Sequence, residues 1–481
     1  MNFKLVFKIT GKTLLVEAIA MLLPMLVGLI YGESPRPFLL AILITAVAGG
    51  ALALLKTDTK LFAREGYFTV GLIWVLFGVF GALPFYFCGY FESYIDCLFE
   101  CISGFTTTGA SILTAVEGLP MGILFWRSFT HWLGGMGVLV LTIALLPSLG
   151  ARSAFLMQAE SPGPIKSKLV PKTAQTSKIL YGIYLALTLI MIVFLLLADL
   201  PLYDAVVTAF GTAGTGGFAV KNLSIAAYNS PAVEIIVTVF MLLFSVNFGM
   251  YFLLICGKWK QTLKSDELRF FVGTVFVSGI IIALNILGDY SDTETFGCAL
   301  RHAFFQVASI ISTSGFATTD FNLWPELSRW ILILLMFVGA CAGSTGGGIK
   351  CSRILLLFKA LQREIRQAVH PRSVHVVKLD GQVTDEHDLQ KSHAFFAAYM
   401  IILICGVLVI SLDNFSFATT ATAVISCLSN VGPGLDVVGP MGNFSVLSDL
   451  SKLVLSLLMI IGRLEIFPIL VLFSRNAWKR S

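Results

Sequence analysis

A ten-residue stretch recurs four times along the chain in imperfect copies: SGFTTTGASI at 103–112, GTAGTGGFAV at 211–220, SIISTSGFAT at 309–318 and SCLSNVGPGL at 426–435. Each copy follows a short apolar segment and sets a glycine at the same offset, namely Gly109, Gly217, Gly315 and Gly432. In the second copy Gly216 and Gly217 are adjacent, which leaves its register open by one residue. Six residues before the glycine stand Ser103, Gly211, Ser309 and Ser426, all small, as expected where a helix ends beside close neighbours. Thirteen before it stand Asp96, Asp204, His302 and Thr419, polar residues suited to a helix start. An internal repeat is the strongest constraint a single chain carries, because each copy is one unit packed on the others.

The sequence around the copies is apolar. Its 481 residues are 57% hydrophobic and only 13% charged, with mean hydropathy +0.87. A soluble domain carries about a quarter charged residues, so this chain reads as a bilayer protein. Length and breakers mark candidate spans at 13–31, 38–55, 67–88, 123–147, 178–198, 232–256, 270–288, 328–358, 393–412 and 451–474. Segments near 94–103, 202–211, 299–311 and 417–428 are too short to cross and read as re-entrant half-helices. The first span lacks a small-x-small cleavage site and a second follows at once, so it reads as a membrane helix and not a signal peptide.

Placing both termini in the cytoplasm puts all but Arg36, Arg127, Lys221, Arg301, Arg329, Lys452 and Arg463 of the 33 Lys and Arg on the inner side. That asymmetry is the positive-inside rule. Net charge +5 therefore points to membrane orientation and not to nucleic acid. The nine cysteines show no CxxC or Cys/His metal spacing and read as small packing residues.

The expected fold class is an all-α polytopic membrane protein. Two N-terminal transmembrane helices fill 1–64, and four pseudo-symmetric span–pore-loop–span repeats surround one central pore. The repeats occupy 65–150, 175–260, 268–365 (with a Gly-rich intramembrane loop) and 393–481, with a cytoplasmic connection at 366–392. That connection is too short for a catalytic domain. It is either a solvated linker or a docking surface for a cytoplasmic regulator.

A half-helix that enters the bilayer and returns as extended chain leaves carbonyls without partners, which is tolerable only where they line water or are buried in protein. Glycine permits backbone conformations that turn successive carbonyls toward a common axis. Four such segments make rings of oxygens able to replace the hydration shell of a monovalent cation. Half-helix C-termini pointing inward add partial negative charge. The flanking side chains are small or hydroxylated in three copies, while the fourth carries Asn430, Val431 and Pro433. No ring of carboxylates accompanies them, which favours potassium or sodium over calcium. The alternative is four tight turns between helices.

The four loops, WRSFTHWLGGMG at 126–137, GACAGSTGGGIKCSR at 339–353 and IGRLEIFP at 461–468 resemble the membrane subunit of the Trk/Ktr/HKT superfamily of potassium transporters, TrkH type. The resemblance covers essentially the whole chain, including the two extra N-terminal spans. It implies a potassium filter built from Thr107, Thr108 and Gly109; Thr215, Gly216 and Gly217; Thr313, Ser314 and Gly315; and Asn430, Val431 and Gly432. Sodium-favouring plant relatives replace the first glycine with serine. It also implies potassium as transported substrate with no bound cofactor, and a homodimer in the bacterial inner membrane. A cytoplasmic TrkA-type ring of nucleotide-binding subunits would control the gate.

The run Gly343, Ser344, Thr345, Gly346, Gly347 and Gly348 interrupts an apolar span, and glycines in a helix interior cost about 1 kcal/mol each relative to alanine. It should open into a loop. Ile349 stands where a phosphate-binding loop needs lysine, so the run is no nucleotide site. The resemblance makes it an intramembrane gate, against the alternative of a packing break. Arg463 at membrane depth needs water or a partner. The resemblance places it below the filter, repelling potassium; the alternative is a structural arginine bound to free carbonyls of the Gly-rich loop. Lys350 and Arg353 are expected at the cytoplasmic mouth. His131 is either a packing residue or, if transport is proton-coupled, the proton carrier. A proton- or sodium-coupled symporter shares most of these features. A membrane-embedded enzyme does not, because paired aspartates, HExxH and Ser/His constellations are lacking at membrane depth.

Overall fold

A computed structural model of the chain describes residues 2–57, 63–137, 173–288, 293, 295–373 and 375–473. The expected span 123–147 runs past the described residues at Gly137, and Lys60, Arg152, Lys166, Lys168, Lys172, Arg475, Lys479 and Arg480 lie outside them. The described fold is helical apart from a two-stranded antiparallel hairpin, Lys378–Leu379 with Gln382–Val383. Its turn residues Asp380 and Gly381 have φ 51° and 79°, the left-handed pair that a two-residue hairpin turn requires.

Six helical stretches among the described residues are long and apolar enough to cross a bilayer: Phe3–Ile30, Arg36–Ala53, Glu65–Cys88, Gln175–Leu197, Asp266–Ile286 and Glu386–Asp413. The first starts ten residues earlier than hydropathy suggests. Asn2 caps it by accepting the Leu5 N–H, and lysines within it are good helix formers that lower hydropathy without breaking the helix.

Three expected spans are not continuous helices. In 232–256, helices Pro231–Phe244 and Phe248–Ile255 meet at 90°, with Asn247 capping the second. The span 328–358 breaks into Glu326–Val338 and Cys351–Val369, opened by Gly339 at φ 67°. The span 451–474 breaks after Arg463, where Glu465 and Ile466 take φ 54° and 70°. A β-branched residue at positive φ is strained and persists only where its surroundings over-determine it; Ile466 is fully buried.

The helices that precede and follow the repeated stretches share a plan. Short helices Tyr94–Phe105, Leu202–Gly214, Phe296–Ile311 and Phe417–Ser429 each run into one copy. Return helices Met121–Gly135, Pro231–Phe244, Glu326–Val338 and Asp449–Arg463 follow, with 15, 14, 13 and 15 residues. At about 1.5 Å per residue they are shorter than the roughly 30 Å hydrocarbon core. Ser93, Thr295 and Ser416 cap three of the short helices, each accepting a backbone N–H three residues on. Asp96, Asp204 and Thr419 therefore sit in the first turn and do not cap, and His302 lies well inside its helix.

Candidate functional site

The four loops close their helices in the same way. Thr107, Thr215, Thr313 and Asn430 stand in the left-handed region at φ 56°, 56°, 60° and 56°. Two residues on, Gly109, Gly217, Gly315 and Gly432 have φ 80°, 82°, 76° and 106°. Between them, the N–H groups of Thr108, Gly216, Ser314 and Val431 bond the carbonyls of Ser103, Gly211, Ser309 and Ser426 at 2.9, 2.8, 2.8 and 2.9 Å. This is the Schellman closure of a helix C-terminus, and the small residues six before each glycine are where it lands. The second copy is thereby in register on Gly217. Threonine at positive φ is strained; the hydroxyls of Thr107 and Thr215 offset part of this by donating to the carbonyls of Thr106 and Gly214 at 2.7 and 2.6 Å.

Each glycine abuts the next loop. A Cβ on Gly109 would overlap the carbonyl oxygen of Gly216, one on Gly217 that of Ser314, and one on Gly315 that of Val431; on Gly432 it would lie 2.7 Å from Thr108 O. The contacts run from first loop to second, third, fourth and back. Four carbonyls, each preceding a glycine, thus meet in one closed ring. It is narrow, since Ser314 O on the third loop is 3.7 Å from the Cβ position of Gly109 on the first. Asn430 ties the fourth loop to the first, its Nδ2 donating to Thr108 Oγ1 and to Met459 O at 2.9 Å each.

Behind the ring, His131 is held at both nitrogens. Nδ1 bonds Gly104 O at 2.7 Å, and Nε2 accepts the Phe218 N–H at 3.3 Å. Its ring occupies the space a Cβ on Gly216 would need. The geometry matches the packing alternative: a neutral imidazole donating at one nitrogen and accepting at the other. Arg127 lies over the Phe218 ring at 3.6 Å, bonds Ala219 O at 2.9 Å and pairs with Glu100 at 2.6 Å. Glu100 also accepts from Ser111 Oγ at 2.9 Å and Ile112 N at 3.0 Å, so this fully buried carboxylate joins the first short helix to its own loop. Sequence reasoning missed that role. The only signal for it was a charge inside an apolar half-helix.

Beneath the ring lies the Gly-rich loop. Gly347 N donates to Thr313 Oγ1 at 2.7 Å, and a Cβ on Gly346 would lie 2.8 Å from Ser312 O. On its other side Gly343 O accepts from Phe248 N at 3.0 Å, Cys341 N bonds Ser245 O at 3.1 Å, and Thr345 Oγ1 bonds Phe244 O at 3.1 Å. The loop therefore docks on the 90° break in 232–256. Ser344 turns inward on its own segment, its hydroxyl donating to Cys341 O at 2.6 Å, while Gly348 takes φ 78°.

Arg463 ends the fourth return helix and gathers the others. Nη1 bonds Thr107 Oγ1 at 3.0 Å and Thr345 O at 2.7 Å; Nη2 bonds Gly134 O at 2.5 Å and Gly135 O at 2.6 Å. With Thr345 reaching Phe244 O, the ends of the first, second and fourth return helices join the Gly-rich loop that follows the third in one hydrogen-bonded layer. Arg463 thus binds a free carbonyl of the Gly-rich loop, the alternative reading of this residue. Lys350 and Arg353 depart from expectation. Each is 6% exposed, with Lys350 Nζ on Gly346 O and Arg353 paired with Glu465 and stacked at 4.2 Å on Phe395. They brace the loop from within instead of facing solvent. Glu267, missed at the sequence level, is fully buried and accepts the N–H groups of Ala342 and Ser352 at 2.7 and 3.1 Å, fixing both ends of the segment.

A family model described as "TrkH: Cation transport protein" matches residues 35–480. The chain is 37% identical over 485 residues to the Trk system potassium uptake protein TrkH of Salmonella typhimurium, covering 100% of both chains. It is 35% identical to the Trk system potassium uptake protein TrkG of Escherichia coli, covering 99% of each. Among solved structures, the crystal structure of the potassium transporter TrkH from Vibrio parahaemolyticus is similar with a TM-score of 0.89, at 33% identity and 100% coverage of both chains.

Proposed function

The chain belongs to the TrkH family of cation transport proteins, and on that premise we propose that it carries potassium into the cell through the ring of four loops. One observation supports this most directly: the carbonyls of Thr108, Gly216, Ser314 and Val431 each abut the glycine of the preceding loop in closed cyclic order. Backbone oxygens in such a ring substitute for the hydration shell of a monovalent cation. Four helix C-termini feeding the same ring favour positive charge there. The test is potassium uptake in a potassium-requiring host, comparing wild type with Gly109→Ser and Gly315→Ala. Both variants lose flux or potassium-over-sodium selectivity; unchanged behaviour in both defeats the reading.

The Gly-rich loop and Arg463 act as the gate on this reading. Their support is the shared layer in which Arg463 holds Thr345 while the loop leans on Thr313. Removing Gly346 and Gly347 leaves the ring without its plug, and basal flux rises several-fold in a folded variant. The buried braces Lys350, Arg353 and Glu267 connect the loop to helix Cys351–Val369. We place the docking site for a cytoplasmic nucleotide-binding ring on that helix and on the hairpin beside it. Both termini face the cytoplasm, the membrane is the bacterial inner membrane, and two copies assemble with one pore each. The engagement of both His131 nitrogens by backbone supports the packing reading of that residue over the proton-carrying one.

A further inference from the structure

Seven cations fall outside the cytoplasmic side of the charge map, and the structure accounts for most of them. Arg127, Arg301 and Lys452 pair with Glu100, Glu234 and Asp96 at 2.6, 2.9 and 2.6 Å, and Arg329 pairs with Glu326. Arg463 is spent on carbonyls, and Arg36 lies exposed at a helix start. Lys221 is different. It makes no ion pair among the described residues and is half-buried in a cavity of about 140 Å³ above the ring. All four ring glycines line that cavity, and among the described residues Arg127 and Lys221 are the only charged ones lining it, with no aspartate or glutamate. The carboxylate bonded to this stretch, Glu117, accepts the Asn222 N–H at 3.2 Å. The Arg127 charge is compensated by Glu100, so the uncompensated charge at the mouth is the Lys221 ammonium.

We propose that Lys221 is a tethered cation that sets how readily potassium enters the ring from outside, without taking part in selection or gating. The inference rests on the reading of the ring as the potassium path. An ammonium in the entry cavity repels an approaching cation. The repulsion weakens as salt shortens the screening length from about 30 Å at 0.01 M to about 8 Å at 0.15 M. A bound potassium in the ring feels the same charge less, since the ring carbonyls lie beyond the cavity. Entry affinity is therefore the quantity it governs.

The test measures initial potassium uptake by depleted cells at low and high external ionic strength, set with an impermeant organic salt. At about 0.01 M, Lys221→Gln lowers the KM for potassium about two- to five-fold with unchanged maximal rate, and the shift shrinks toward unity near 0.15 M. Lys221→Arg keeps wild-type behaviour. Lys221→Cys supplies a within-protein comparison: a positively charged methanethiosulfonate restores the high KM and a negatively charged one lowers it, with treated wild type controlling for native cysteines. A KM unchanged in Lys221→Gln, or shifted equally at both ionic strengths, overturns the proposal, as does an equal response to the two reagents. If Gly109→Ser alters selectivity while Lys221→Gln leaves KM untouched, only this inference falls. If Gly109→Ser and Gly315→Ala both change nothing, the reading beneath it falls.

Discussion

At Gly216 the backbone has no positive φ, yet a Cβ there would run into the imidazole of His131; at Gly217 the φ of 82° strains any side chain and a Cβ would overlap Ser314 O. The two adjacent glycines are thus required for separate reasons, which is why sequence alone could not choose between them. The distinction is testable by a double-mutant cycle. Gly216→Ala should lower uptake, and His131→Ser should cost about 1–3 kcal/mol of stability by leaving Gly104 O and Phe218 N without their partner. The double variant Gly216→Ala/His131→Ser should be better than the sum of the two, because the smaller side chain vacates the contested space. Gly217→Ala should gain nothing from His131→Ser, since its strain lies in its own φ and against Ser314 O. Additive losses in both pairs would show that His131 does not set the shape of the second loop.

Hydropathy sees composition and not continuity, and the return helices show the difference. The break at 339–350 was legible because glycines cluster there. Those after Phe244 and Arg463 were not, because Ser245–Asn247 and Leu464–Ile466 carry no glycine or proline. After Phe244 a partner elsewhere captures the freed backbone, Cys341 N taking Ser245 O at 3.1 Å, and such a long-range capture leaves no local trace. After Arg463 the chain closes on its own helix end, Ile466 N returning to Ile461 O at 2.9 Å, with Glu465 and Ile466 instead of glycine at positive φ. The short helices and their glycines were readable, by contrast, because a helix end with a left-handed residue needs local chemistry. At this scale Arg463 is the decisive residue, as its planar fork spans four acceptors that a lysine point charge cannot span together. Arg463→Lys should raise basal potassium leak in proteoliposomes several-fold and lower the melting temperature of the purified protein by about 4 °C or more. Wild-type leak with wild-type melting would remove Arg463 from the layer that joins the helix ends.

Taken whole, the molecule closes on itself at a second level outside the ring. Val116 N meets Asn222 Oδ1 at 2.8 Å, Ala226 N meets Ala317 O at 3.3 Å, Asp436 N meets Asn322 Oδ1 at 2.8 Å, and Phe444 N meets Ser111 O at 2.8 Å. The cyclic order is the same as below. One member of this outer belt is sensitive to acid. Hydroxyls of Ser416 and Thr419 donate to the Asp436 carboxylate and hold it below the usual aspartate range. Its contribution to stability is therefore present above the unfolded value of about 3.9 and lost as pH falls through the lower folded one. Asp436→Asn should melt below wild type by a constant margin from about pH 5 to 8, with the gap closing under about pH 4. A gap that persists in acid would assign the effect to shape instead of charge. The closed order of the loops has one more consequence, for how such a ring can change over generations. All four walls are written separately in one gene, so a substitution alters a single quarter of the ring, where an assembly of four identical chains would take the change fourfold. Pro433 and Asn430, found in the fourth loop alone, are marks of that freedom. Substitutions at Gly109, Gly217, Gly315 and Gly432, taken one, two or three at a time, form a graded dosage series that a homotetrameric ring does not offer.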